Sequence, residues 1–309
     1  SSHLGPNKSW RQFTAADAPA FKMMDKVQSL VTWVQDNPRA TAVYGLFIAG
    51  CLAIYKLLEA RATGKYDHVL TLSAGLQALA FALLALEARS EVGEGLSEKS
   101  LWAFFIAHVS RLSTTFWGEA YVPEDNTSDF YLYQVLETAG LVFVGFQMVK
   151  LNTFREGKDV GQGLERWSVL AGMVVAAVVL AALTKNTGHN DWLADLMWMF
   201  SVWLEAFAFA PQVQLMMSNV TVDESQFHFC VLSLAAGITF AVFWGHIARM
   251  ESESLHGDER WFWRGIFGAG LVRVSLSAGY LYLFVQAARG FKRYGQGRGD
   301  YDPFVEDIL

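Results

Sequence analysis

Eight apolar runs of about 17 to 26 residues, set apart by charged spacers, recur along this chain, and each is close to the length a helix needs to cross a hydrocarbon core of about 30 Å. They are Thr41 to Leu58, His68 to Leu86, Leu101 to Trp117, Phe130 to Val149, Trp167 to Leu183, Trp192 to Met217, Phe227 to Ala248, and Trp263 to Ala288. Lipid cannot satisfy open backbone groups, and no ten-residue alternating pattern is present, so the runs predict helices rather than barrel strands. With 309 residues, 53% of them hydrophobic and 14% aromatic, the reading is an all-α polytopic membrane bundle rather than a pair of soluble domains.

Lys and Arg in the spacers set the orientation. Fifteen lie on the side that holds both termini and six on the other, which predicts that both ends face the cytosol or its organellar equivalent. The organisation reads as a polar extension over 1–40, an added transmembrane helix over 41–58, a seven-helix domain over 68–288 and a polar tail over 289–309. Within the extension, Val27, Leu30, Val31 and Val34 recur at helical spacing and predict a short amphipathic helix lying in the membrane interface beside Trp33. The loop from Gly118 to Asp129 and the residues after Gly290 read as polar and flexible, and Asn126-Thr-Ser matches a glycosylation sequon. The sequence starts on Ser1 rather than Met, compatible with a trimmed chain or a removed targeting segment.

Several function classes have no support in the residues. A net charge of −6 without a basic block gives nucleic acid no electrostatic footprint. Cys51 and Cys230 sit in apolar runs with no disulfide or metal spacing. No Ser-His-Asp, HExxH, CxxC or phosphate-loop pattern falls on a suitable element, so the reading is non-enzymatic, without metal or cofactor. Membrane lipid is the one partner that composition itself requires.

Ionisable residues inside the spans carry the functional signal, because a charge at mid-bilayer costs roughly 2.5–3.5 kcal/mol on insertion scales and therefore faces a bundle interior or a wet cavity. At a rise of 1.5 Å per residue, Arg111 lies roughly 9 Å in from Trp117, Glu137 roughly 10 Å in from Phe130, Asp195 roughly 5 Å in from Trp192, and Arg273 roughly 15 Å in from Trp263. Four helices thus place ionisable side chains in one leaflet half. Structural ion pairs of Arg111 with Glu137 or Asp195, and of Arg273 with Glu205, would account for them equally. His108, one turn from Arg111, is a satisfied core histidine or a proton-sensitive neighbour.

The wording around these residues resembles a known family. Residues 198–212 read W-x-F-S-x-x-L-E-A-x-A-x-x-P-Q, and residues 95–111 read GLSEKSLWAFFIAHVSR. Both are similar to segments of the ER lumen protein-retaining (KDEL) receptors, and His228 and Trp244 keep the family's H-x15-W spacing. The added first span, with TWVQDNP before it, resembles the plant-type branch. The resemblance covers about 220 residues from the second span onward. It implies a SWEET-like or PQ-loop-like fold: two three-helix bundles, spans two to four and six to eight, joined by span five around a polar cavity. It also implies that Arg111, Asp195, Trp198 and Trp244 recognise a lumenal ligand or cargo peptide in ER-to-Golgi traffic, with Glu137, Glu205, Arg273 and His108 as the polar core. Other family arginines fall here on Val69, Gly237 and Ile247, so a retrieval tetrapeptide should bind weakly. Two alternatives follow: a non-catalytic accessory subunit of a large organellar membrane complex, and, from fold analogy alone, a small-solute transporter.

Overall fold

The computed structural model describes residues 67–87, 96–117, 128–155, 167–185, 192–218, 224–251 and 259–295, with isolated positions between 32 and 49. The chain divides into two compact units, Ser1–Tyr44 and Gly45–Leu309. In the first, the described positions Thr32, Pro38, Thr41, Ala42 and Tyr44 are helical. Apart from Thr32 the expected amphipathic helix lies outside the described residues, as do most of the added span, Asn126 and Thr127 of the sequon, and the residues after Gly295.

The second unit is built from helices, with no strand among its described residues. In chain order they are α1 (Asp67–Glu87), α2 (Glu98–Trp117), α3 (Ser128–Arg155), α4 (Trp167–Thr184), α5 (Trp192–Phe207), α6 (Ala210–Ser218), α7 (Glu224–Glu251) and α8 (Glu259–Gly295). Among the described residues six stretches are long and apolar enough to cross a membrane: His68–Leu86, Tyr131–Asn152, Trp167–Thr184, Trp192–Met217, Gln226–Arg249 and Phe262–Ala287. They fall on six of the expected runs. A seventh run forms α2, a 20-residue helix whose His108, Arg111, Ser110 and Thr114 lower its apolar character.

Local chemistry fixes the helix ends. Ser97 caps α2, its Oγ accepting from the Ser100 amide at 3.3 Å, with Glu98 in the first turn where the helix dipole favours an anion. The long run from Trp192 breaks after Phe207, the residue four before Pro211, where a proline ring would clash with the carbonyl. The chain turns through Ala208 and Phe209, and Val213 N resumes helical bonding to Phe209 O at 2.9 Å. At the other end of the molecule, α8 continues five residues past Gly290, where the sequence suggested a flexible tail. The helix ends at Gly295.

Helix α1 packs on α3 and α7, α2 on α3 and α5, and α8 on α5 and α7. Exchanging α1 with α5, α2 with α7 and α3 with α8 maps this set of neighbours onto itself. The exchange extends to residue register. Helix α3 buries Tyr133, Glu137, Gly140 and Val144, and α8 buries Arg273, Ser277, Tyr280 and Phe284, at identical spacing. Each trio therefore has its third helix between the other two. Helix α4 joins them, lying on α5, and only 22% of its span is buried, against 78% for α1.

Outward-facing side chains include Phe116, Val135, Val142, Phe146, Val149, Val175, Leu183, Val242 and Tyr282. An apolar belt of this extent on a polytopic bundle is covered by lipid tails, which place no demand on side-chain polarity. Outward Ser and Thr satisfy their hydroxyls within their own helix, as Thr138 does with Gln134 O at 2.7 Å and Ser275 with Leu271 O at 2.8 Å.

Where α4 meets α8 the approach is close. A Cβ on Gly265 would lie 2.6 Å from Thr184 Cβ, whereas one on Gly279 would meet nothing within 4 Å. Thr184 is held on both sides, donating to Leu180 O at 2.6 Å and accepting from Trp203 Nε1 at 3.0 Å. Gly265→Ala is expected to destabilise by about 1–3 kcal/mol through overpacking, while Gly279→Ala gains up to about 1 kcal/mol in helix propensity. Thermal unfolding of the two variants in detergent checks this, and equal shifts would contradict the packing.

Candidate functional site: a buried ion network

At the junction of the two helix trios a continuous chain of polar contacts runs through the apolar interior. Gln77 on α1, His108 and Arg111 on α2, Glu137 on α3, Glu205 on α5 and Arg273 on α8 are each 4% exposed or less. Arg111 Nη1 lies 2.9 Å from Glu137 Oε1, and Arg111 Nη2 donates to Glu205 Oε2. The other oxygen of Glu205 lies 2.9 Å from Arg273 Nη1. Arg273 Nη2 donates to Gln77 Oε1 at 2.7 Å, and His108 Nδ1 meets Glu137 Oε2 at 2.6 Å. With Glu137 ionised, that ring nitrogen carries the donated proton.

The charges of this network balance, two guanidinium groups against two carboxylates. Balance matters because burying one unpaired ion costs several kcal/mol even after relaxation, and lipid offers no water to relieve it. Glu205 is the central member, since it joins both arginines.

Helix geometry explains these partners. Ser110 Oγ donates to Met197 O at 3.0 Å, and Ser97 N donates to Gln212 Oε1 of α6 at 2.7 Å, so α2 runs antiparallel to the α5–α6 run. A helical side chain leans toward the N-terminus of its own helix. For Arg111 that direction leads from the level of Met197 toward Ser201 and Glu205 and away from Asp195. Its Nε accordingly reaches Ser201 Oγ at 3.4 Å, and Glu205 leans back toward it. The alternative of an Arg111–Asp195 pair is thus replaced by pairing with Glu137 and Glu205. Asp195 is buried near the start of α5, about three turns from Glu205 and outside the network.

Two small residues make room. The stem of Arg273 crosses Gly237, whose added Cβ would lie 3.5 Å from its Cγ and 3.6 Å from its Cδ. The His108 ring crosses Gly140 in the same way, with Cε1 at 3.5 Å from an added Cβ. An arginine at position 237 would occupy the volume that the Arg273 stem fills.

Aromatic clusters close both flanks. Phe81 contacts His108 at 5.7 Å edge-on and continues to Phe104 at 5.1 Å and Phe229 at 5.5 Å. Beyond Phe240, which faces the Arg273 guanidinium at 5.8 Å, Trp244 packs on Trp198 at 5.4 Å and on Trp263 at 5.6 Å. The expected residues Trp198 and Trp244 therefore touch each other, as one wall of the interior rather than as members of the ion network. A cavity of about 10 Å³ lies at the centre, with Ser73, Gln77, Tyr133, Glu205 and Arg273 among its walls. Among the described residues no cluster of three or more His, Cys, Asp or Glu is arranged to hold a metal ion.

Sequence reasoning passed over Gln77, Tyr133 and Ser201. Gln77 had a usable signal, an amide near the middle of the apolar run His68 to Leu86. Neutral hydroxyls are too common in membrane helices to stand out.

Charge balance makes a prediction. Arg111→Leu leaves Glu137 without a guanidinium and should cost about 3–5 kcal/mol, whereas Arg111→Leu combined with Glu137→Leu keeps one arginine against one glutamate and should cost less than the single change. Thermal unfolding of both variants is the check, and a double variant less stable than the single one would contradict it.

A family model described as ER lumen protein retaining receptor matches residues 93–246. No curated protein matches the chain. The matched segment runs from just before α2 to near the end of α7, so it holds His108, Arg111, Glu137, Asp195, Trp198, Glu205 and Trp244. Gln77 and Arg273 come from α1 and α8, outside it.

Proposed function

Since residues 93–246 belong to the ER lumen protein retaining receptor family, we propose that this chain is a receptor-like, non-enzymatic membrane protein of ER-to-Golgi traffic whose polar centre reads a lumenal ligand. The observation that supports the reading is the convergence of two guanidinium groups, Arg111 and Arg273, on the one carboxylate of Glu205. Paired guanidinium donors suit a ligand carboxylate, and Glu205 takes that place itself. Trp198 and Trp244, with Asp195 nearby, would form the aromatic and acidic approach to the centre.

The same arrangement argues for weak capture of a retrieval tetrapeptide. An acidic peptide must displace Glu205 from two arginines and bring its own negative charge beside Glu137, and like charges at such a site are costly. A cavity of about 10 Å³ is far smaller than the 300–1,000 Å³, roughly, of ordinary ligand pockets.

A second reading, a non-catalytic accessory subunit of a large organellar membrane complex, is favoured by the internal compensation of every charge in the network. A core whose charges offset one another holds the fold without a charged ligand.

Titration of a labelled KDEL or HDEL peptide against the purified full chain at acidic pH separates the two. The receptor-like reading expects binding weaker than micromolar in the native chain and at least about tenfold tighter in Glu205→Gln, where both arginines lose their ionised partner. It also expects that gain to vanish when Arg111→Ala is added. No binding in any of these, together with stoichiometric recovery of the native chain in a larger complex, would put the accessory reading first.

A further inference from the structure

Four atoms of the ion network lack an aligned hydrogen-bond partner; His108 Nε2 is one, and the side chains of the other three all line the same cavity. Those three are Gln77 Nε2, Arg273 Nε and Glu205 Oε1. The glutamate oxygen is 2.9 Å from Arg273 Nη1 as an ion pair, yet it receives no well-directed hydrogen bond. Each of these residues is 3% exposed or less, and a buried polar atom left unmatched is destabilising.

The set has a definite chemistry, two donors and one acceptor. A metal cation is unsuited to it, because a guanidinium N–H and an amide N–H offer only positive hydrogens. A halide would accept from both donors but would face the Glu205 carboxylate as a like charge. Water matches all three groups, with two lone pairs for the donors and a hydrogen for the carboxylate oxygen. The volume agrees, for a cavity of about 10 Å³ is at the size that holds one water, about 10–15 Å³.

We propose that this cavity is a binding site for a single structural water, which accepts from Gln77 Nε2 and Arg273 Nε and donates to Glu205 Oε1. The water joins α1 of one trio to α5 and α8 of the other, beside the direct Arg273–Gln77 bond. Ser73, whose own hydroxyl donates to Ala236 O at 2.8 Å, and Tyr133 complete a polar wall that can take the second hydrogen. The inference concerns the network itself and stands whether or not the centre reads a ligand.

The test is a density map of the full chain in a lipid nanodisc, at a resolution that shows ordered waters, paired with infrared difference spectra in water labelled with the heavy oxygen isotope. The native chain should show a peak within about 2.7–3.2 Å of all three atoms and an isotope-shifted O–H band. Gln77→Met, which removes one donor, and Ala74→Val, which adds bulk to the cavity wall and keeps every polar group, should each lose the peak and the band. Absence of the peak in the native chain, where other buried waters are resolved, would overturn the proposal. So would a band that persists in both variants, or a heavier peak on replacing chloride by bromide.

Discussion

Glu205 sits between Arg111 and Arg273, and the arrangement of the helices around it follows from that contact. In a bilayer the usual driving force for packing is absent, because lipid tails are as apolar as the side chains they would replace. What distinguishes the assembled bundle from separated helices is the demand of buried polar groups for partners. Two arginines and two glutamates cannot stand alone at that depth, and here they are satisfied only when α2, α3, α5 and α8 meet. The apolar helices supply shape. The ion network supplies the requirement that they come together in one register.

The near-exchange of α1, α2 and α3 with α5, α7 and α8 shows how the network uses the fold. Tyr133 and Arg273 occupy equivalent burial positions on α3 and α8, so the two trios present different chemistry from the same place. One contributes a phenol and, a turn further, Glu137. The other contributes a guanidinium and, a turn further, Ser277. The centre is therefore asymmetric in charge although the two trios share one pattern of helix neighbours. The family match stops short of α1 and α8, and it is these helices that bring Gln77 and Arg273. The centre of this chain is thus partly built from outside the matched segment.

Much of this was legible in the sequence, for identifiable reasons. Apolar runs of spanning length give helices almost without ambiguity, because lipid leaves no other backbone solution. Arg111, Glu137, Glu205, Arg273 and His108 stood out because ionisable groups in such runs are rare. Their pairing was less accessible. Whether Arg111 meets Asp195 or Glu205 depends on the antiparallel level of α2 against α5 and on the lean of each side chain, which depth from a helix end does not encode. Gln77 carried the signal of an amide in an apolar run, but its role depends on the Arg273 side chain reaching it from α8.

The central claim is that Glu205 makes the two arginines one cooperative unit, so that members which do not touch are energetically coupled through it. A double-mutant cycle between Glu137→Gln and Arg273→Leu, read by reversible unfolding in bicelles, measures that coupling directly. Glu137 and Arg273 share no hydrogen bond, and the account predicts that their effects depart from additivity by about 0.5–3 kcal/mol in the native background and add when Glu205 is Gln. Effects that add within about 0.5 kcal/mol in both backgrounds would contradict it.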